Sequence, residues 1–205
     1  MIKVLTHYTP SWKEIAEVTT PVLQAYCNKH GYVMSAYECT AYQQYNGKEK
    51  LKHILQELEL GDVAMVIDAD AIITNMEVQL EDFINQEQDF YITKHVGNIN
   101  AGVFIIRLTT WSIIFLNYLL ENIGKVGIHC EQDAAQKYIK DHPHDKKVKI
   151  VSHPAFNSLM YHLYPEHPDK IGSNEDWNEH HFVLHLPGLG NERRLEILKS
   201  TPVIL

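Results

Sequence analysis

Asp68 and Asp70 stand one residue apart directly after the apolar run Val63 to Ile67. In an extended segment, residues i and i+2 point to the same side, about 6 to 7 Å apart. Both carboxylates can then reach one hard divalent cation, which favours oxygen ligands. The apolar Ala71-Ile72-Ile73 follows, so the pair lies between two core-forming stretches, at the strand end where ligands sit in open α/β sheets.

His185 follows another short apolar run, Phe182 to Leu184, and heads His185-Leu186-Pro187-Gly188-Leu189-Gly190. If both runs are parallel strands, their carboxyl ends bring an imidazole beside the two aspartates. Gly188 lets backbone N–H groups approach a diphosphate closely, and Arg193 or Arg194 could add charge. Asn100-Ala101-Gly102 leads into the Val103 run with side chains small enough for a ligand to lie against the backbone. Glu131-Gln132-Asp133 opens a helical pattern, where acidic residues also suit the macrodipole with no further role. His180-His181 with His185 raises zinc, but the spacing does not put three imidazoles on one face of a strand. No Walker loop, G-x-G-x-x-G, G-x-S-x-G or cysteine-nucleophile pattern is present, which argues against kinase, dehydrogenase and hydrolase chemistry.

The elements that must position these residues alternate between short apolar runs and helical periodicity, the mark of an α/β domain. Ile2 to Leu5 reads as a strand. Ser11 and Glu14 form the pattern of a capping box for a helix with Ile15, Val18, Val22, Leu23 and Tyr26 on one face, stopped by Gly31. Val33 to Tyr37 is a strand, Lys48 to Leu60 a helix, and Val63 to Ile67 a strand covered on both faces. A less regular acidic segment precedes a strand at Val103 to Ile106, helices over Trp111 to Ile123 and Glu131 to Tyr138, and a strand at Lys149 to Ser152. Pro154 to Glu179 reads as a long ordered loop and Leu186 to Arg194 as a Gly-containing loop.

With 205 residues and 45% hydrophobic content, the chain fits one domain over its whole length. Its formal charge of −8 opposes binding along a nucleic-acid backbone. Cys27, Cys39 and Cys130 share no CxxC spacing and read as free thiols of a reducing compartment. The N-terminal apolar run ends at Thr6, too soon for a signal peptide or anchor, and no later segment spans a bilayer; the expectation is a soluble, cytoplasmic protein.

Several segments in shared order resemble one family, the retaining galactosyl- and xylosyltransferases that include yeast-type α-1,2-galactosyltransferases, mannan-polymerase subunits and plant xyloglucan xylosyltransferases. Tyr26-Cys27-Asn28-Lys29-His30-Gly31-Tyr32 is similar to its "Y-x-x-x-H-G-Y" segment, and Lys50 to the lysine opening its next helix. Val66-Ile67-Asp68-Ala69-Asp70-Ala71 resembles "W-x-D-x-D-A". Asn100-Ala101-Gly102-Val103-Phe104-Ile105-Ile106-Arg107 with Trp111-Ser112 resembles "N-x-G-V-F-L-I-R…W-S". Glu131-Gln132, Phe156-Asn157 and His185-Leu186-Pro187-Gly188 match its later motifs.

The resemblance implies a GT-A fold, a single Rossmann-like nucleotide-sugar-binding domain with a mixed, mostly parallel sheet flanked by helices. It implies Mn2+ (or Mg2+) on Asp68, Asp70 and His185, and a UDP-sugar donor carrying galactose or xylose. Thr6 and Tyr8, after the first strand, would frame the uridine, and Lys50, Asn100 and Gly102 the donor. Gln132 and Glu131 would be the catalytic pair, near the sugar on the side facing a glycan or other hydroxyl acceptor. Where the family carries a basic residue shortly after "H-x-x-G", this chain has Gly190, so the diphosphate contact passes to Arg193 or Arg194. The expected reaction is sugar transfer with retention through an oxocarbenium-like transition state. A sugar-nucleotide nucleotidyltransferase and a non-catalytic glycan-binding or scaffold member of the same fold are the alternatives, and the oligomeric state is open.

Overall fold

The computed structural model describes residues 1–40, 46–95, 98–127 and 130–204. Its centre is a six-stranded mixed sheet built from β1 (Ile2–Tyr8), β2 (Val33–Glu38), β3 (Val63–Asp68), β5 (Phe90–His95), β6 (Asn98–Arg107) and β7 (Val148–Val151). The strand order is β2-β1-β3-β6-β5-β7. β1 pairs parallel with β2 and β3, β7 pairs parallel with β5, and β6 runs antiparallel to both of its neighbours. A separate two-stranded ribbon joins β4 (Ala71–Ile73) to β8 (Val183–His185), antiparallel.

Apolar residues alternate between the two faces of the sheet. Leu5, Ala64, Val66, Phe104 and Ile106 pack under α2 (Asn46–Glu57), α3 (Thr110–Asn122) and α4 (Cys130–Asp141). Val4, Met65, Ile67, Val103 and Ile105 pack on the other face with Leu23, Tyr26 and Cys27 of α1 (Lys13–His30) and with Phe156 and Phe182. A third cluster ties α1 and the ribbon to α5 (Asn191–Ser200) through Ile15, Ala69, Ile72, Leu184 and Ile197. Burial on both faces is why β3 carries an unbroken apolar run.

The fold class follows the sequence expectation, and four local readings are corrected. β1 extends to Tyr8, so Thr6 and Tyr8 lie within it and not after it. Ser11 caps nothing: it sits in a 3-10 turn, Pro10–Trp12, bonded to Thr9 Oγ1, and α1 starts at Lys13. Gly31 does end α1, in a left-handed conformation whose N–H donates to the Cys27 carbonyl. The stretch read as irregular holds β4 and β5, and the loop after His185 ends in α5. Residues 154–179 are a long ordered segment of short 3-10 turns, pinned where the Asp176 carboxylate accepts from Tyr161 N–H and Gly172 N–H, each at 2.8 Å. Among the described residues no helix is long and apolar enough to cross a membrane.

Candidate active site

At the carboxyl ends of β1 and β3 the sheet opens into a cleft of about 320 Å3. β3 delivers Asp68 as its last residue, and the turn to β4 delivers Asp70. His185 arrives differently from the sequence expectation. β8 is not a parallel strand of the main sheet; it pairs antiparallel with β4, with His185 opposite Ala71. Only Ala69 and Asp70 separate β3 from β4, so a strand paired with β4 ends beside the aspartates, and β8 places His185 there.

One donor atom from each of Asp68, Asp70 and His185 lies within 4.8 Å of the others. Asp70 is almost fully buried, with Oδ1 3.4 Å from His185 Nε2 and Oδ2 3.0 Å from Arg194 Nε. Burial opposes its ionisation, yet a His185 ring in its protonated form and the Arg194 guanidinium hold its carboxyl below the ordinary range. Asp68 keeps 37% of its side chain exposed to the cleft. Partial desolvation and the neighbouring Asp70 and Glu131 carboxylates raise its pKa despite Lys50. Two carboxylates and an imidazole converging at this spacing fit a divalent cation of the Mn2+ or Mg2+ type, with the open side left to a ligand.

β6 brings the next layer. Ile92 pairs with Phe104 and Thr93 with Asn100, so Ala101, Gly102 and Val103 have no partner on β5. This bulge turns residues 100–102 toward the aspartates. Gly102 also makes room for the imidazole: a Cβ there would fall 2.1 Å from His185 Cε1. Asn100 Oδ1 accepts from Gly102 N–H and from Asn157 Nδ2, each at 2.9 Å. From α4, Gln132 Oε1 accepts from Ala101 N–H at 3.1 Å, while Glu131 bonds Lys50 Nζ at 2.9 Å. Lys50, 4% exposed, also donates to Asp68 Oδ1 at 2.7 Å. Burial would lower its pKa, but Asp68 and Glu131 outweigh this and raise it, so it is a fixed cation bridging two carboxylates.

Tyr8, Lys50, Asn100, Gly102, Glu131, Gln132, Gly188 and Arg194 thus line the same cleft as the Asp68, Asp70 and His185 group. Thr6 and Arg193 do not. Thr6 is wholly buried with an unpartnered hydroxyl, and Arg193 is half-exposed on the outer face of α5, paired with Glu196 at 2.5 Å. Arg194 is the residue that enters, its guanidinium 4.3 Å from the centre of the Trp12 ring. His180 has a 78% exposed side chain, and neither it nor His181 joins the carboxylates. Sequence reasoning missed His7, Thr9, Trp12, Cys39, Gly47 and Cys130 in the lining and left Asn157 without a role. Of these, only the "F-N" pair carried a sequence signal.

A family model for proteins of unknown function, DUF273, matches residues 23–140, from the middle of α1 to the end of α4. The chain belongs to the DUF273 family. The match takes in Asp68, Asp70, Asn100, Gly102, Glu131 and Gln132 and stops short of Asn157 and His185. This DUF273 chain is similar to the probable alpha-1,6-mannosyltransferase MNN10 of Saccharomyces cerevisiae, with 24% identity over 162 residues. The alignment covers 58% of this chain and 41% of the relative, so the chain spans well under half of that curated protein. Among solved structures it is similar to a glycosyltransferase involved in glycosylation of the major capsid of PBCV-1, at 16% identity and a TM-score of 0.73, covering 97% of this chain and 99% of that one. It is also similar to the galactosyltransferase LgtC in complex with donor and acceptor sugar analogues, at 12% identity and a TM-score of 0.58, covering 99% and 97%. At these identities the likeness establishes the fold, and the DUF273 chain has the GT-A fold.

Proposed function

We propose that the protein is a metal-dependent glycosyltransferase that moves a sugar from a UDP-sugar to a hydroxyl of a glycan or other acceptor, with retention at the anomeric carbon. The observation that carries this reading is the convergence of Asp68, Asp70 and His185, with donor atoms within 4.8 Å of one another, on the floor of a cleft large enough for a nucleotide sugar. A cation held there supplies Lewis-acid stabilisation of the charge that develops on the departing nucleoside diphosphate.

The chain's own residues divide the remaining work. Arg194, packed on Trp12, and the backbone at Gly188 face the diphosphate side; Gly188 holds a left-handed φ of 75° that a side chain would strain. Tyr8 at the end of β1 flanks the nucleoside, and Asn100 borders the donor sugar. Gln132 accepts from the β6 backbone through Oε1, leaving its amide N–H2 for the sugar. Glu131 is held by the Lys50 ammonium, which weakens it as a nucleophile and favours attack from the face the diphosphate leaves. β1 runs into His7-Tyr8-Thr9-Pro10 without the Gly- and Arg-rich loop that nucleotidyl transfer calls for.

We read the 205 residues as one donor-binding domain, and Cys27, Cys39 and Cys130, none in a disulfide, support the cytoplasm as its compartment. Galactose or xylose is the donor sugar favoured by the motif resemblance. The mannosyltransferase relative favours mannose as the second reading. A thermal-shift panel of UDP-galactose, UDP-xylose and GDP-mannose, with and without Mn2+, separates them, because a ligand that binds the native state raises its apparent stability. Release of nucleoside diphosphate without acceptor distinguishes a catalyst from a glycan-binding scaffold. No Mn2+-dependent shift with any donor would sink the proposal.

A further inference from the structure

We propose that Asn157 is a positioning residue that fixes the proton of His185 on Nδ1 and so keeps Nε2 free to act as a ligand. The inference takes its purpose from the cation reading above, but the protonation pattern itself follows from hydrogen bonds that involve no cation. The Gly102 N–H is a backbone donor, so the Asn100 atom 2.9 Å from it is the carbonyl oxygen. That oxygen must meet a donor on its other side, which sets the amide nitrogen of Asn157 toward it, 2.9 Å away. The second hydrogen of the same nitrogen goes to Thr93 Oγ1 at 3.0 Å. Both donor positions of Asn157 are then used, and its Oδ1, 2.9 Å from His185 Nδ1, can only accept.

A neutral imidazole carries one N–H. With that hydrogen on Nδ1, the Nε2 lone pair faces Asp70 Oδ1 across 3.4 Å, lone pair against carboxylate. For a structural His–Asp contact the favourable tautomer is the opposite one, with Nε2–H donating to Asp70. Asn157 blocks it, because turning its amide over would set its oxygen against Asn100 Oδ1. Asn157 and Thr93 are fully buried, so the hydrogen bonds that orient the amide are sheltered from water. The chain therefore holds His185 in the form that disfavours an empty contact and suits a bound cation, since ligating histidines must be unprotonated at the ligating nitrogen.

The test begins with the wild-type protein, free of divalent cations, at pH 8. Two-bond 1H–15N correlation of the histidine rings, with His185→Gln to assign the signal, is expected to show a single proton on Nδ1 of His185. A ring with its only proton on Nε2, or protonated on both nitrogens, overturns the proposal. Asn157→Leu is then expected to move the proton to Nε2 and to weaken Mn2+ binding, read by the electron paramagnetic resonance of free Mn2+, by roughly 10- to 100-fold. An N157L protein that keeps both the wild-type ring signal and the wild-type affinity also overturns it. If wild-type protein binds no Mn2+, the cation reading fails, while the ring measurement still decides the role of Asn157. If N157L does not fold, the wild-type spectrum decides alone.

Discussion

The imidazole of His185 fills the space that a side chain on Gly102 would need: a Cβ built there lies 2.1 Å from Cε1, 2.7 Å from Nε2 and 2.9 Å from Nδ1 of the ring. Gly102 has no positive φ, so the left-handed strain that bars a side chain at other glycines does not apply, and the three nearest atoms in the way belong to the ring. Gly102→Ala therefore displaces His185, with an overpacking cost of roughly 1–3 kcal/mol. The expected outcome is a lower urea midpoint together with loss of the Mn2+-dependent thermal shift. A G102A protein matching wild type in both would mean that the ring has another place to go.

Asp70 and Arg194 form a buried pair, with only 5% and 7% of their side chains exposed. Removing one partner of such a pair leaves the other charge uncompensated, at a cost of roughly 3–5 kcal/mol. Asp70→Ala should lose that stability in urea titrations and also lose the Mn2+-dependent shift. Asp70→Ala with Arg194→Leu should recover part of the stability and none of the shift. Recovery of both by the double variant would remove Asp70 from the cation site. Arg193→Ala, at the exposed ion pair with Glu196, should change stability by at most about 1 kcal/mol.

The contrast between the two arginines marks where the sequence was legible. β3 and its two aspartates were readable because a strand buried on both faces must be continuously apolar and must end where polarity begins. α5 was not: Asn191-Glu192-Arg193-Arg194 is polar and follows two glycines, so nothing local separates it from loop. On a helix, consecutive residues point about 100° apart, which sends Arg194 inward and Arg193 to solvent, a choice that a loop does not fix. The strand before His185 was readable as a strand, but its partner was not, since β4 and β8 lie more than a hundred residues apart and no local pattern sets the direction of their pairing. Phe90–His95 hid because only its first three residues are apolar, and the pairing with β6 completes it. Asn157 gave no sign of its role because an asparagine in a polar segment is ordinarily a turn residue; its contacts come from Thr93, Asn100 and His185, distant in sequence.

Lys50 Nζ uses its three hydrogens on Asp68 Oδ1, Glu131 Oε1 and the Ala101 carbonyl, at 2.7, 2.9 and 3.3 Å. Lys50→Met leaves the two carboxylates facing one another with no positive charge between them, and should lower stability by roughly 3–5 kcal/mol. An added divalent cation then replaces part of the missing charge beside Asp68. Mn2+ should therefore raise the melting temperature of K50M by more than it raises that of wild type. A smaller shift in K50M would mean that Lys50 assists cation binding instead of substituting for it.

His7, 7% exposed, sets its Nε2 2.8 Å from His53 Nδ1 with the Tyr37 ring edge-on beside it. Burial, then the positive charge of Lys50 and the His53 ring, drive its pKa from 6.5 down to about 2. Above pH 6.5 the ring is neutral in folded and unfolded chains alike and contributes no pH dependence. Below it, the unfolded chain binds a proton that the native ring refuses, so stability falls as pH falls, by about 1.4 kcal/mol per pH unit from this group. His181, whose pKa burial also lowers, adds a contribution of the same sign. Carboxylates with depressed pKa values, such as Asp70 and Asp145, act in the same direction at lower pH, and Asp68, whose pKa is raised, acts in the opposite one, so His7 is isolated by the difference between wild type and a His7 variant from pH 6 to 5. Urea titrations across that interval should give His7→Gln a slope shallower than wild type by about one proton's worth. Equal slopes in the two proteins would mean that His7 accepts a proton in the native state, and that its burial among Tyr37, His53 and Lys50 does not keep it neutral.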